Sequence, residues 1–336
     1  MNTKNTIKEY RSDIDGLRCL AVMLVILFHA GTGWFSSGFI GVDIFFVISG
    51  YLITGIILSQ SEKENFRLSE FLNRRLWRIQ PALLVTSFVA FLAATFLYVV
   101  PDYLSFMKSA KYNAIFLSNQ FFAKQSVGYA SPQSEFFPLL HTWSLSIEWQ
   151  WYLILPAVLL CVDRLKIRFS FQWQRNHASE LQLLCWLILT IIFAFISLHI
   201  SEKTPGGSYY FLLSRIFEFT AGGTAFLISR YISNVKPFII SIISIVSIPS
   251  LILIATREGL INGYPDGWTI AVVSFTAALL ISGASSQRNV IQFLSISLNF
   301  SQFLLCHLLA NFHIRFIYGI GRFSLFADIS ALTLKV

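Results

Sequence analysis

The chain has 336 residues, of which 55% are hydrophobic and 12% charged, with 33 phenylalanines and a formal net charge of +8. A soluble protein needs about 25% charged residues to cover its surface, so this composition excludes an ordinary soluble enzyme, a disordered chain and a fibre. The apolar excess runs the whole length, which also excludes one or two anchors on a soluble domain. The expected fold class is all-α, a polytopic membrane bundle of about nine to ten transmembrane helices.

Apolar stretches near the required length of about 20 residues fall at 17–35, 38–58, 81–100, 145–162, 183–201, 208–229, 237–256, 268–285 and 292–318. This divides the chain into an N-terminal tail, 1–16, a membrane domain, 17–318, and a C-terminal tail, 319–336. The segment 103–125 carries Lys108, Lys111 and Lys124 and reads as an interfacial or partly re-entrant loop. With the N-terminus placed in the cytoplasm, the inner loops hold about three times as many Lys and Arg as the outer ones, as the positive-inside rule requires. The +8 balance is then topology, and no nucleic-acid partner is expected. Cys19, Cys161, Cys185 and Cys306 are scattered without metal-ligand spacing and read as buried thiols, so no metal is expected. No internal repeat is evident.

Polar groups inside spans are costly and become the candidates for function. Arg18 and His29 lie eleven positions apart, on roughly one face of the first span and about 16 Å apart along its axis. His29 is an acid–base candidate, or a histidine hydrogen-bonded between helices. Arg18, at the inner end of the span, is a functional candidate or a snorkelling topology anchor. Asp43, early in the second span, needs a partner, either His29 or an arginine. Arg75 and Arg78 share a helix face before the third span and suit either phosphates or anionic lipid headgroups. The run His141-Thr142-Trp143-Ser144-Leu145-Ser146-Ile147-Glu148 opens the fourth span, with Glu148 at a depth estimated as similar to His29. Arg215 and Glu218 read as a buried structural ion pair.

These residues carry a close resemblance to the membrane acyltransferase family 3, particularly the branch fused to an SGNH-hydrolase-like domain, which includes O-antigen and peptidoglycan O-acetyltransferases. The matching blocks are 10–18, the Arg18–His29 spacing, 38–50, 74–81, 138–148, and 215–218 with Gly222 and Gly223. The similarity is strong over about 10–230 and continues only in character over 230–295. The resemblance implies a multi-pass protein of the bacterial inner membrane that moves an acetyl group from cytoplasmic acetyl-CoA to a hydroxyl of an envelope glycan such as lipopolysaccharide O-antigen. His29 would be the acid–base centre or a transient acyl carrier, with Glu148 and Asp43 as its catalytic supports. Arg18, Arg75 and Arg78 would hold the phosphates of coenzyme A, and Trp143 and Ser144 would meet the acceptor. Implied partners are the glycan, membrane lipids and a separate periplasmic SGNH-like protein, since no SGNH-like domain is expected within these residues.

Two features depart from the family pattern. Trp149 follows Glu148 where the family has a second acidic residue, and the family's closing aromatic block is not recognisable after about residue 295. Alternative readings are an acyltransferase acting on a lipid or small molecule, a transport or export protein on the same fold, and an inactive truncated product.

Overall fold

The computed structural model describes residues 11–31, 33–63, 65–125, 137–168, 178–204, 206–232 and 236–285. All regular structure among them is helical: α1 (Ser12–His29), α2 (Gly41–Ser61), α3 (Leu68–Leu97), α4 (Val100–Ala114), α5 (Ser118–Lys124), α6 (Thr142–Arg168), α7 (Ala178–Lys203), α8 (Ile216–Tyr231), α9 (Pro237–Ala255) and α10 (Gly267–Ser285). Single 3₁₀ turns at Gly38–Ile40, Gly207–Tyr210, Leu212–Ser214 and Leu260–Gly263 join some of them. The expected ninth span, 292–318, and the tail 319–336 lie outside the described residues.

Five of these helices are long and apolar enough to cross a membrane: α2 with the preceding turn, α3, α7, α9 and α10. Their outward faces carry large exposed side chains, such as Leu184, Ile188, Ile191 and Phe195 on α7 and Phe238, Ile242, Ile245 and Leu253 on α9. In water such faces would be a liability, but against lipid tails they are the favourable solution. The protein is therefore a multi-pass membrane protein. Three expected spans, α1, α6 and α8, fall short of that measure. Helix α8 has only 16 residues and is buried on every side from Ile216 to Ala225. Its surroundings are protein, so it can hold Arg215 and Glu218 without exposing them to lipid.

Helix α2 is the axis of the assembly. Its glycines let neighbouring backbones touch: a Cβ on Gly50 would lie 2.1 Å from the Phe219 carbonyl oxygen, and one on Gly222 would lie 2.0 Å from that of Val47. The α2–α8 crossing is thus a reciprocal glycine-on-backbone contact, the packing that membrane helices use when no hydrophobic effect draws them together. Gly38 and Gly41 meet α1 the same way, at the carbonyls of Leu24 and Ala21.

Several boundaries differ from the sequence reading. Helix α1 ends at His29, not near residue 35, because Gly31 (φ +64°) turns the chain in the left-handed region that terminates helices. Helix α3 starts at Leu68, well before the expected 81, and runs through Pro81. The arginine segment is thereby part of the helix itself. The region 208–229 is not one helix, since two 3₁₀ turns precede α8. The segment 103–125, expected as a loop, forms most of α4 and all of α5, and Asn113 donates to Ser87 midway along α3 (2.9 Å), so α4 folds back on α3. Cys19 is buried as expected, whereas Cys185 lies exposed on the outward side of α7, and Cys161 and Cys306 have no described side-chain environment.

Candidate active site

Helix α1 carries Arg18 and His29 on one rigid rod, and the structure builds a different polar centre around each. At the Arg18 end, α2, α3 and α6 converge on a cleft lined by Arg18, Ser49, Arg75, Arg78, Glu148 and Tyr152. Arg75 is held between aromatic rings, its guanidinium 5.6 Å from Phe71 and 5.9 Å from Tyr152. Arg18 is tethered to Asp15 at 3.2 Å. Arg74 turns outward to pair with Glu70, which leaves Arg75 and Arg78 as the pair from α3 that faces inward.

One carboxylate sits among these three cations. Glu148 Oε1 accepts hydrogen bonds from Ser49 Oγ (2.6 Å) and from the Tyr152 hydroxyl. The sequence placed Glu148 level with His29, and the structure places it with the arginines instead. The reason is helical rise: seven residues separate His141 from Glu148, about 10 Å along α6, which carries the carboxylate from one end of the α1 rod toward the other. On formal charges the cleft holds three guanidiniums against Glu148 and the tethering Asp15. Guanidiniums that converge on a recess suit a ligand with several phosphates, which can engage each fork with paired hydrogen bonds.

At the other end, His29 closes α1. Its Nδ1 lies 2.8 Å from the Val25 carbonyl oxygen, one turn back. A carbonyl can only accept, so Nδ1 carries the hydrogen of that bond. The ring is clamped by Phe28 (centroids 4.9 Å apart, planes at 82°) and by His141 (4.6 Å, 86°). His141 was part of a recognised motif but had no assigned role. Its proximity to His29 depends on how α6 docks against α1, which no local pattern reports.

Behind these two centres lies a third polar group, fully buried. Arg215 Nη1 donates to Asp43 Oδ1 (2.7 Å) and to Glu218 Oε1 (2.8 Å), and its Nε donates to the Tyr209 carbonyl (3.1 Å). The Tyr264 hydroxyl donates to the other Asp43 oxygen. The guanidinium also lies over the rings of Tyr209 (4.4 Å), Tyr264 (5.2 Å) and Trp143 (5.6 Å). Of the two partners the sequence offered Asp43, the arginine is the one these bonds select, and it comes from the residue that caps the start of α8 and not from the N-terminal half. Asp43 thus ties α2 to α8 and to the loop before α10. The expected Arg215–Glu218 pair is present within it.

The two residues expected at the acceptor are both engaged by the protein. Trp143 is buried against Phe46, Tyr209, Tyr210 and Arg215. The Ser144 hydroxyl donates to the His141 carbonyl at 3.2 Å. Tyr152 and Ser49 were missed as site residues, although Tyr152 stands at i+4 from Glu148, the spacing at which helical side chains meet.

A family model described as an acyltransferase domain (the acyltransferase 3 model) matches residues 11–329. The peptidoglycan O-acetyltransferase OatA of Listeria monocytogenes is 36% identical over 217 residues, covering 64% of this chain and 33% of the relative. A putative membrane-bound transacylase, BcsY of Komagataeibacter xylinus, is 37% identical over 230 residues, with coverage of 66% and 53%. The O-acetyltransferase OatA of Staphylococcus aureus is 42% identical over 153 residues, with coverage of 45% and 25%. The chain thus spans between a quarter and about half of the length of these relatives. No solved structure matches it. A model match across nearly the whole membrane part, together with several relatives named for acyl transfer, fixes the kinship: the chain belongs to the acyltransferase 3 family.

Proposed function

We propose that this protein is an inner-membrane O-acetyltransferase that takes its acyl group from cytoplasmic acetyl-CoA and delivers it to a hydroxyl of an extracytoplasmic polysaccharide, lipopolysaccharide O-antigen or another envelope glycan. The observation that carries the reading is the arrangement along α1: a three-arginine cleft at one end, and at the other a histidine whose Nδ1 is bonded to the Val25 carbonyl and whose ring meets His141. The names of the OatA relatives support O-acetyl transfer, and one of them names peptidoglycan. In this reading the arginine end faces the cytoplasm, in keeping with the excess of cations in the loops on that side.

The donor's phosphates lie against Arg18, Arg75 and Arg78, and its extended pantetheine arm bridges the distance between the two ends of α1. Glu148, fixed by Ser49 and Tyr152, limits how far the mutual repulsion of the arginines can spread them. The acceptor hydroxyl approaches His29 from the opposite side. Nε2 takes the hydroxyl proton as the oxygen bonds to the acyl carbon, the carbon–sulfur bond breaks, and the same proton passes to the departing thiolate. General acid–base work of this kind contributes about 10²–10⁴-fold in rate. The experiment is His29→Ala in cells, with O-acetyl groups of envelope glycans followed by NMR and membrane abundance followed by immunoblot. Acetylation should vanish at unchanged abundance, and retained acetylation removes His29 from the chemistry.

A further inference from the structure

Helix α6 sends one buried tyrosine into the three-arginine cleft, and two different parts of that side chain make contacts there. The Tyr152 hydroxyl donates to Glu148 Oε1, one turn earlier on the same helix. Its ring lies 5.9 Å from the Arg75 guanidinium of α3, which also lies 5.6 Å from the Phe71 ring. The two rings meet edge to face, with centroids 6.2 Å apart and planes at 77°. Phe71 stands four residues before Arg75 and would neighbour it on any helix. Tyr152 comes from a different helix, so one side chain joins the cation of α3 to the carboxylate of α6.

Both charges are met by neutral groups: Arg75 rests against rings, and Glu148 accepts from Tyr152 and, at 2.6 Å, from Ser49 of α2. That choice has a chemical consequence. A carboxylate and a guanidinium in one cleft attract each other, and a direct pair would occupy the fork that a phosphate needs. A ring face favours the cation while leaving the in-plane N–H donors for a ligand, and a hydroxyl fixes the carboxylate without adding charge. We infer that Tyr152 is a positioning residue of the donor cleft: its ring sets Arg75 and its hydroxyl sets Glu148, which keeps the two from pairing and the Arg75 fork open to a donor phosphate. This inference rests on the acetyl-CoA reading above and adds a residue to it.

The experiment measures acetyl-CoA affinity and the thermal midpoint of the full chain in phosphatidylcholine nanodiscs, where no anionic headgroup competes for the arginines. Tyr152→Phe keeps the ring but loses a hydrogen bond to a charged group, so affinity should fall about tenfold. Tyr152→Leu also removes the ring from Arg75 and should lose about threefold more. The deciding measurement is a double-mutant cycle. In a Glu148→Gln protein the amide has no charge to draw it onto Arg75, so adding Tyr152→Phe should change affinity by less than about twofold, whatever Glu148→Gln does by itself. A tyrosine that only fills space would cost the same in both backgrounds. Three results overturn the assignment: wild-type affinity in Tyr152→Phe, an undiminished loss in the Glu148→Gln background, or loss of folded Tyr152→Phe protein, which makes Tyr152 a residue of the fold. If Tyr152→Leu alone fails to fold, Tyr152→Phe and the cycle still decide. A wild-type protein that does not bind acetyl-CoA refutes the donor reading itself, whatever the variants do.

Discussion

Replacing Arg215 by Met tests whether the buried polar group behind the site holds the bundle together. The side chain is 0% exposed, and its Nη1 alone serves Asp43 and Glu218 at 2.7 and 2.8 Å. Met is close in length but removes the charge, leaving two carboxylates facing each other in a space sealed by Tyr209, Tyr264 and Trp143. Removing one partner of a buried ionic group costs about 3–5 kcal/mol. Two charge-assisted hydrogen bonds, at about 1.5–3 kcal/mol each, give a compatible figure. Against a total stability of about 5–15 kcal/mol this is a large share, so Arg215→Met should lower the unfolding midpoint in detergent by about 6 °C and reduce membrane abundance. Adding Asp43→Asn and Glu218→Gln removes the stranded charges and should recover much of the loss, because the penalty lies in unpaired charge and not in missing attraction. An Arg215→Met protein with wild-type midpoint and abundance would refute the reasoning.

Gly222→Val should abolish assembly of the bundle outright, since the new Cβ would sit 2.0 Å from the Val47 carbonyl oxygen and neither backbone can give way; a folded variant by gel filtration would contradict the α2–α8 crossing. In the three-arginine cleft, if it holds the donor as proposed, Arg75→Ala with Arg78→Ala should weaken acetyl-CoA binding about a hundredfold, taking about 1.5 kcal/mol for each lost charge-assisted contact. Arg75→Lys should restore only part of the affinity, because an ammonium cannot make the paired contact of a guanidinium. Titration of the purified protein checks both, and unchanged affinity in the double variant assigns these arginines to lipid headgroups.

Several parts of the site were legible because they are local. The Arg18–His29 relation needs only an unbroken helix and its rise, and α1 supplies both. Arg75 and Arg78 share a face by simple spacing, and Arg215 with Glu218 likewise. The depth of Glu148 was misjudged because axial position depends on where α6 meets its neighbours. The helical character of 103–125 was hidden because its lysines lower the apolarity, while its buried face, Phe106, Ser109 and Asn113, packs on protein and not on lipid.

The sequence by itself determined the membrane class, the helical content and the list of expensive polar residues, since the bilayer penalises each one whatever the topology. Only the tertiary structure decided their pairing. Asp43 goes to Arg215 and not to His29, Glu148 goes to the arginines, and His141 goes to His29, because glycine-on-backbone crossings bring α2 against α8 and α1 and set the register in which side chains meet. The cost of burying a charge is a property of one residue, whereas the partner that offsets it comes from another helix, and only packing selects which one.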